Sequence, residues 1–340
     1  MRLFENGDTA YILAIGNNPV TFPQDSSNLF NDWFHLYQHI QEIEFNSVVT
    51  SNTENMSWMF FGCASLTSLN ISSFNTSKVT DMNGMFAGCS SMTNLEFGNN
   101  FDTSKVINMS DMFNGCGGLT SLNVSDFNTS SVTNIAGMFH DCDKLTTLNL
   151  SSFDTSNVTD MSVMFKGCSS LTALDLSVFN TSNVTNMNNM FDSCYGLTAL
   201  DLSNFNTSKV TDMTKMYYNC KALTSLDLSS FNTSNVESMQ NMFSGCVELQ
   251  TIFAGDEWNT DKLTTSLSYQ NIFFNCTSLV GGEGTTYNAS HIGKDYARID
   301  DGPTNPGYLT RKQTITSINT FSLVQEGDTI IGTQTTNSEE

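Results

Sequence analysis

The residues in this sequence best suited to chemistry are its thiols. Cysteine stands at Cys63, Cys89, Cys116, Cys142, Cys168, Cys194, Cys220, Cys246 and Cys276, with successive steps of 26, 27, 26, 26, 26, 26, 26 and 30 residues. A disulfide framework would leave one of nine thiols over. Copies in register also point their Cα–Cβ bonds in parallel, which is poor geometry for a bridge. Zinc needs closely spaced ligand pairs, and no C-x-x-C occurs. The ladder Cys89, Cys116, Cys142, Cys168, Cys194, Cys220 and Cys246 is therefore expected to be a column of small buried side chains at a tight corner. Methionine keeps the same step. Met56, Met82, Met109, Met161, Met187, Met213 and Met239 form one column, and Met59, Met85, Met112, Met138, Met164, Met190, Met216 and Met242 form a second. An M-x-x-M pair offers soft thioethers to copper. Both columns, however, recur beside phenylalanine, where methionine is a core filler.

Acid–base and nucleophilic chemistry has little to draw on. His35, His39, His140 and His291 are scattered, and no G-x-S-x-G, H-E-x-x-H or phosphate-binding loop occurs. Catalysis needs one unique constellation, whereas a repeat presents the same surroundings many times, so the chain reads as a non-enzyme without a cofactor. Only residues 281–308 depart enough from the repeat to hold a unique polar cluster. Sequons such as Asn75-Thr76-Ser77 and Asn180-Thr181-Ser182 arise from a repeated turn, and they suggest a hydrogen-bonded ladder along its edge. The T-x-T strand pattern that an ice-binding surface would want is absent. The best candidate binding residues form a polar column: Asn70, Glu96, Asn123, Asn149, Asp175, Asp201 and Asp227. They alternate with leucines and should point outward. Asp175, Asp201 and Asp227 would place like charges about 5 Å apart, each pair costing about 1 kcal/mol in water. The column reads as a solvated stripe, as a partner face, or as weak Ca²⁺ sites.

The elements that position these columns follow from the period. Phe74, Phe101, Phe127, Phe153, Phe179, Phe205 and Phe231 keep the step, as do the valines from Val79 to Val236, with one residue inserted near Asn99-Asn100. Such a period marks a solenoid. In the unit starting at Met161, the spacing of Met161, Met164, Phe165 and Cys168 predicts a short helical turn. Leu174 and Leu176 alternate with Ala173, Asp175 and Ser177, which predicts a strand. Phe179 to Ser182 predicts a turn, and Val184 returns to the core. The expected fold is an α/β repeat solenoid with a parallel strand ladder on one face and short helical turns on the other. No unit can bury its apolar face except by stacking. Residues 1–29 are expected to form a lid, with Tyr11 to Ile15 as a strand. Residues 30–280 form the solenoid. Its degenerate first unit, 30–55, is built on Phe30, Trp33, Phe34, Tyr37, Ile40, Ile43 and Phe45. Residues 281–312 close the array, and 313–340 read as a linker or the start of a further module.

Charge narrows the partners. Among 340 residues, 34 are acidic and 13 basic, for a net charge of −21. That excludes a phosphate-backbone footprint, hence nucleic acid, and electrostatic docking on anionic lipid. No apolar run approaches the roughly 18 residues of a membrane span. Met1 to Asp8 lacks the basic start and apolar core of a secretory signal, so the chain is expected either to stay inside the cell or to lack its original start.

The unit M-F-x-G-C-x-x-L-T-x-L-[DN]-L-S-x-F-[DN]-T-S-x-V-T-x-M resembles the BspA-like, treponemal-type leucine-rich repeats of bacteria. It is most similar to the branch first described as a Mycoplasma lipoprotein family of unknown function. The matching runs are Cys89 to Leu95, with Met92 in a leucine slot, Cys168 to Leu174, Val158 to Met161 and Val210 to Met213. Gly284 to Tyr308 resembles the segment that often closes such arrays. The resemblance implies a leucine-rich solenoid, exposed on the cell surface or secreted, with adhesion or host interaction as its role and no catalytic residues. A non-enzymatic module binding a protein or glycan partner through the solenoid face is the expectation. A structural spacer and an intracellular acidic scaffold are the alternatives.

Overall fold

The computed structural model describes residues 2–13, 19–31, 40–312, 319–326 and 329–336. Trp33, Phe34 and Tyr37 of the first unit, Ala14 and Ile15 of the lid strand, and His35 and His39 lie outside them.

Each 26-residue lap lays one residue type over its own copy, so apolar surface is buried between laps rather than within one. The clearest column is aromatic. Phe30, Phe60, Phe86, Phe113, Phe139, Phe165, Phe191, Tyr217, Phe243 and Phe273 stack with ring centroids 5.0 to 5.9 Å apart and planes within 9° of parallel. The methionine, cysteine and valine columns are buried around this stack, along with most of the leucines that open and line each strand.

The strands face outward along one side. β1 (Arg2–Asn6) is antiparallel to β2 (Thr9–Leu13), and β2 is parallel to β4 (Glu42–Phe45), so the segment expected to supply one strand supplies β1 and β2, with β3 (Val20–Thr21) following. β3 pairs separately with β5 (Val48–Val49). From β4 the sheet continues through β6 (Ser68–Asn70) to β7 (Asn94–Glu96) and stops. β8 (Ser121–Leu122) and β9 (Thr147–Leu148) pair alone, and β10 (Ser225–Leu228), β11 (Thr251–Ala254) and β12 (Leu309–Arg311) form a third parallel sheet. The expected continuous ladder is thus segmented. Between β9 and β10 the two laps without an assigned strand are those with Ala173 and Ala199, where the strand-forming laps carry Glu42, Ser, Thr or Asn. Alanine is depleted in strands because it offers little to pack on a pleated surface.

The uninterrupted ladder lies elsewhere. Parallel bridges link Asp25, Asn55, Asp81, Asn108, Asn134, Asp160, Asn186, Asp212 and Ser238 in one unbroken series. The Asx side chains in this column also accept the amide two residues on, as Asp160 Oδ1 does from Ser162 at 2.8 Å.

The expected helical turns are corrected. From Met161 to Cys168 the chain forms successive tight turns, not helix. The amides of Met164, Lys166 and Cys168 bond the carbonyls three residues back. Those of Met161, Val163, Phe165 and Gly167 instead donate to the next lap, at Asn186, Asn188, Met190 and Asp192. A helix would direct both sets within the segment. Two left-handed residues per lap prevent that, here Val163 at φ 51° and Gly167 at φ 75°. The i, i+3, i+4, i+7 spacing that predicts a helix arises because these turns also return apolar side chains to one side.

Residues 319–326 and 329–336, read from sequence as linker or further module, form an antiparallel pair, β13 (Asn319–Glu326) and β14 (Thr329–Thr336).

Candidate functional site

The polar column singled out by sequence lies on the strand face. Asn70, Glu96, Asn123, Asn149, Asp175 and Asp201 are exposed, and Asp227 is half-buried. Their first task is structural. Oδ1 of Asn123, Asn149, Asp175, Asp201 and Asp227 accepts the amide of the serine two residues on, at 3.0 to 3.1 Å. This side-chain turn explains the recurrent [DN]-x-S pattern. The serine amides hold the Asp175 and Asp201 carboxyls below the usual range. Each carboxylate keeps a second oxygen toward solvent. At Asp227 that oxygen is taken, because Lys312 Nζ sits 2.5 Å from Oδ2. Partial burial works against ionisation of Asp227, but the Lys312 ammonium and Ser229 outweigh it and its pKa is lowered. The three aspartates are therefore not equivalent: β12 and its lysine close the last one. Among the described residues no group of three or more His, Cys, Asp or Glu is placed to hold a metal ion.

The cysteines lie in the core. All nine are buried and free. From Cys89 to Cys276 each Sγ donates to the carbonyl of the stacked aromatic one lap before, at 2.9 to 3.3 Å. Burial pushes these thiols up, to about 12 at Cys168 and Cys246, so almost no thiolate is present for nucleophilic or redox chemistry.

The turn edge carries a threonine ladder that the sequons only hinted at. The hydroxyl of Thr181 donates to the Asn206 carbonyl at 3.0 Å and accepts the Asn206 amide at 2.8 Å. Thr103, Thr129, Thr155, Thr207 and Thr233 repeat this reciprocal pair. Each buried hydroxyl stands in for a backbone strand partner. These sequon residues are thus consumed by the fold.

Residues 281–308 do contain a unique polar cluster, and it too is inward. Asp300 is buried and accepts the amides of Glu283, Thr285, Gly302 and Gly307 and the Thr285 hydroxyl. Burial opposes its ionisation, yet the donors from Thr285, Glu283 and Gly302 lower its pKa.

The place where the columns open was missed by the sequence reading. Glu96 faces Asn70 in the β6–β7 ladder, and the Phe101 amide bonds the Gly98 carbonyl as Phe179 bonds Leu176. Four residues thus separate Glu96 from Phe101 where three separate Asp175 from Phe179, and Phe97 is the added one. It is a bulge beside the inserted position expected at Asn99-Asn100. Its ring packs on Phe86, Phe101, Phe113 and Phe127 but remains half-buried, as does Leu95. The threonine ladder falters here as well. Thr76 keeps its bond to the Asp102 carbonyl, while the Asp102 amide turns to Asn100. Gly98 cannot be larger, because a Cβ would lie 2.1 Å from the Ser72 carbonyl oxygen. Two adjoining clefts of about 380 and 500 Å³ result, sharing Gly98, Asn99, Phe101 and Asp126. The 27-residue step between Cys89 and Cys116 was the available signal.

Comparison with solved structures finds low likenesses. A leucine-rich repeat protein of Treponema pallidum is 17% identical, with a TM-score of 0.30 over 56% of this chain and 83% of that one. A TLR13–ssRNA13 complex is 15% identical, with a TM-score of 0.19 over 77% and 44%. No curated protein matches the chain. The repeat itself is matched by a family model over residues 24–119, 93–196 and 168–283, most of the described solenoid. A chain of stacked 26-residue laps with these columns belongs to the family described as Mycoplasma protein of unknown function, DUF285.

Proposed function

We propose that this chain is a non-enzymatic recognition or adhesion module of a bacterial surface protein, of the BspA-like leucine-rich kind, that engages a protein or glycan partner through its strand-bearing face. One observation carries the reading. The thiols from Cys89 to Cys276, the ladder threonine hydroxyls and Asp300 are committed to internal bonds, whereas Asp175 and Asp201 hold an ionised, solvent-facing oxygen on consecutive laps. Such a stripe steers a basic partner through the oxygen that the side-chain turn leaves free.

The test is surface capture of a panel of basic proteins and peptides by the wild type and by the double variant Asp175→Asn/Asp201→Asn. The variant should weaken capture several-fold and flatten its salt dependence, with a melting midpoint within a few degrees of wild type, as for most surface changes. Capture unchanged by both salt and substitution would remove the stripe from the reading. The spacer reading is favoured by the unbroken ladder from Asp25 to Ser238, and it expects no capture at all.

A further inference from the structure

We infer that the bulged lap contains a binding site for a neutral saccharide, seated in the cleft beside Phe97. The inference deepens the recognition reading by naming a ligand class and a place on the same face. The cleft interrupts the strand-face columns and exposes apolar and polar surface together. Phe97, the added residue, is half-buried, as is Leu95, whose equivalents in other laps are mostly buried, so the cleft floor offers aromatic and aliphatic surface. Around that floor stand two carboxylates, Glu96 and Asp126, and two amides, Asn99 and Asn123, all exposed.

A sugar ring needs this combination. Its C–H face is apolar, while each hydroxyl both donates and accepts, so it pairs with planar carboxylate and amide groups at the rim of an apolar floor. The alternatives fit less well. No Lys, Arg or His lines either cleft, so phosphates and acidic sugars would meet only negative charge. A cationic ligand would find two carboxylates, but Glu96 is already engaged by the amides of Asn70 at 2.6 Å and Asn94 at 3.2 Å. Those bonds occupy one acceptor site on each oxygen and fix the carboxylate's orientation as an acceptor. The volumes of about 380 and 500 Å³ fall within the range of small-molecule sites. Gly98 holds the floor open, since its contact with Ser72 excludes any side chain.

Asp126 is the residue to change. The same position carries Val178 in a later lap, so the fold tolerates an apolar residue there. The experiment titrates the protein with galactose, mannose, N-acetylglucosamine and their disaccharides. Binding is followed by saturation-transfer NMR and by amide shifts of residues 95–101 and 123–127. At least one probe should shift those amides. The shift should persist at high salt, because the ligand is uncharged. Asp126→Ala and Asn99→Ala should each weaken binding about tenfold or more, as loss of a charged or bidentate hydrogen bond does. Asp175→Asn should bind the sugar like wild type, which separates this site from the strand-face stripe. Failure of every probe to shift these amides would overturn the site. So would binding confined to amines and abolished by salt. Neither result would touch capture of basic proteins through Asp175 and Asp201, so the two readings fail separately.

Discussion

At the scale of single residues, two positions are less favourable than their neighbours. The left-handed column that contains Val163 holds Trp58, Gly84, Asp111, Gly137, Asn189, Lys215 and Asn241 in other laps, at φ between 53° and 64°, and Val163 is its one β-branched member among these. A β-branched side chain at φ 51° is strained, whereas asparagine tolerates that conformation. Val163→Asn should raise stability by about 1 kcal/mol in chemical denaturation; a loss would show that the valine's packing outweighs its strain. Tyr217 occupies the phenylalanine stack with a fully buried hydroxyl that has no hydrogen-bond partner among the described residues. Tyr217→Phe should stabilise the protein by about 1 kcal/mol or more, read as a higher denaturation midpoint, because the hydroxyl's desolvation is relieved.

At the scale of elements, side chains take over work that backbone does in ordinary sheets. The Thr181 hydroxyl satisfies both the amide and the carbonyl of Asn206 in the next lap. Thr181→Val keeps the shape and removes both bonds, so it should cost about 1–3 kcal/mol. Amide hydrogen exchange should quicken at Asn206 and its neighbours while distant laps stay protected, since laps couple through their neighbours. Uniform loss of protection along the solenoid would instead indicate one cooperative unit. The strand ladder is the weaker connection, broken at Phe97 and at the two alanine laps.

At the scale of the whole molecule, the thiol column links stability to alkaline pH. Burial raises the pKa of Cys89, Cys116, Cys142, Cys194, Cys220 and Cys276, and takes Cys168 and Cys246 from 9.0 to about 12. Above the unfolded value the unfolded chain releases protons that the native chain retains, so stability falls as pH rises. It is fully present below pH 9.0 and should drop steeply toward about 12, with many thiols acting together. Urea midpoints across that window check this, and Cys168→Ala should shallow the slope. A flat profile would mean that the thiols are not buried in solution. Native protein should likewise resist thiol reagents until it is denatured.

The period, the stacked core and the outward polar column were legible in the sequence. Each depends on residue type recurring at a fixed step, and stacking turns that recurrence directly into contact. Phe165 stacks on its own copies, Phe139 and Phe191, and Cys168 and Leu174 are buried in columns of like residues. The turns were misread as helix because apolar spacing reports which side chains share a face, not where the amides donate. Val163 and Gly167 decided that, through backbone conformation and a carbonyl waiting one lap away. The lysine on Asp227 comes from Lys312, 85 residues along the chain, and no local pattern connects them. The cleft had only one extra residue as its trace. Its aromatic floor and polar rim are assembled from two adjacent laps, and which residue bulged was settled by the closeness of Gly98 to the Ser72 carbonyl. Periodicity specifies what repeats; tertiary contact decides what a departure from the repeat becomes.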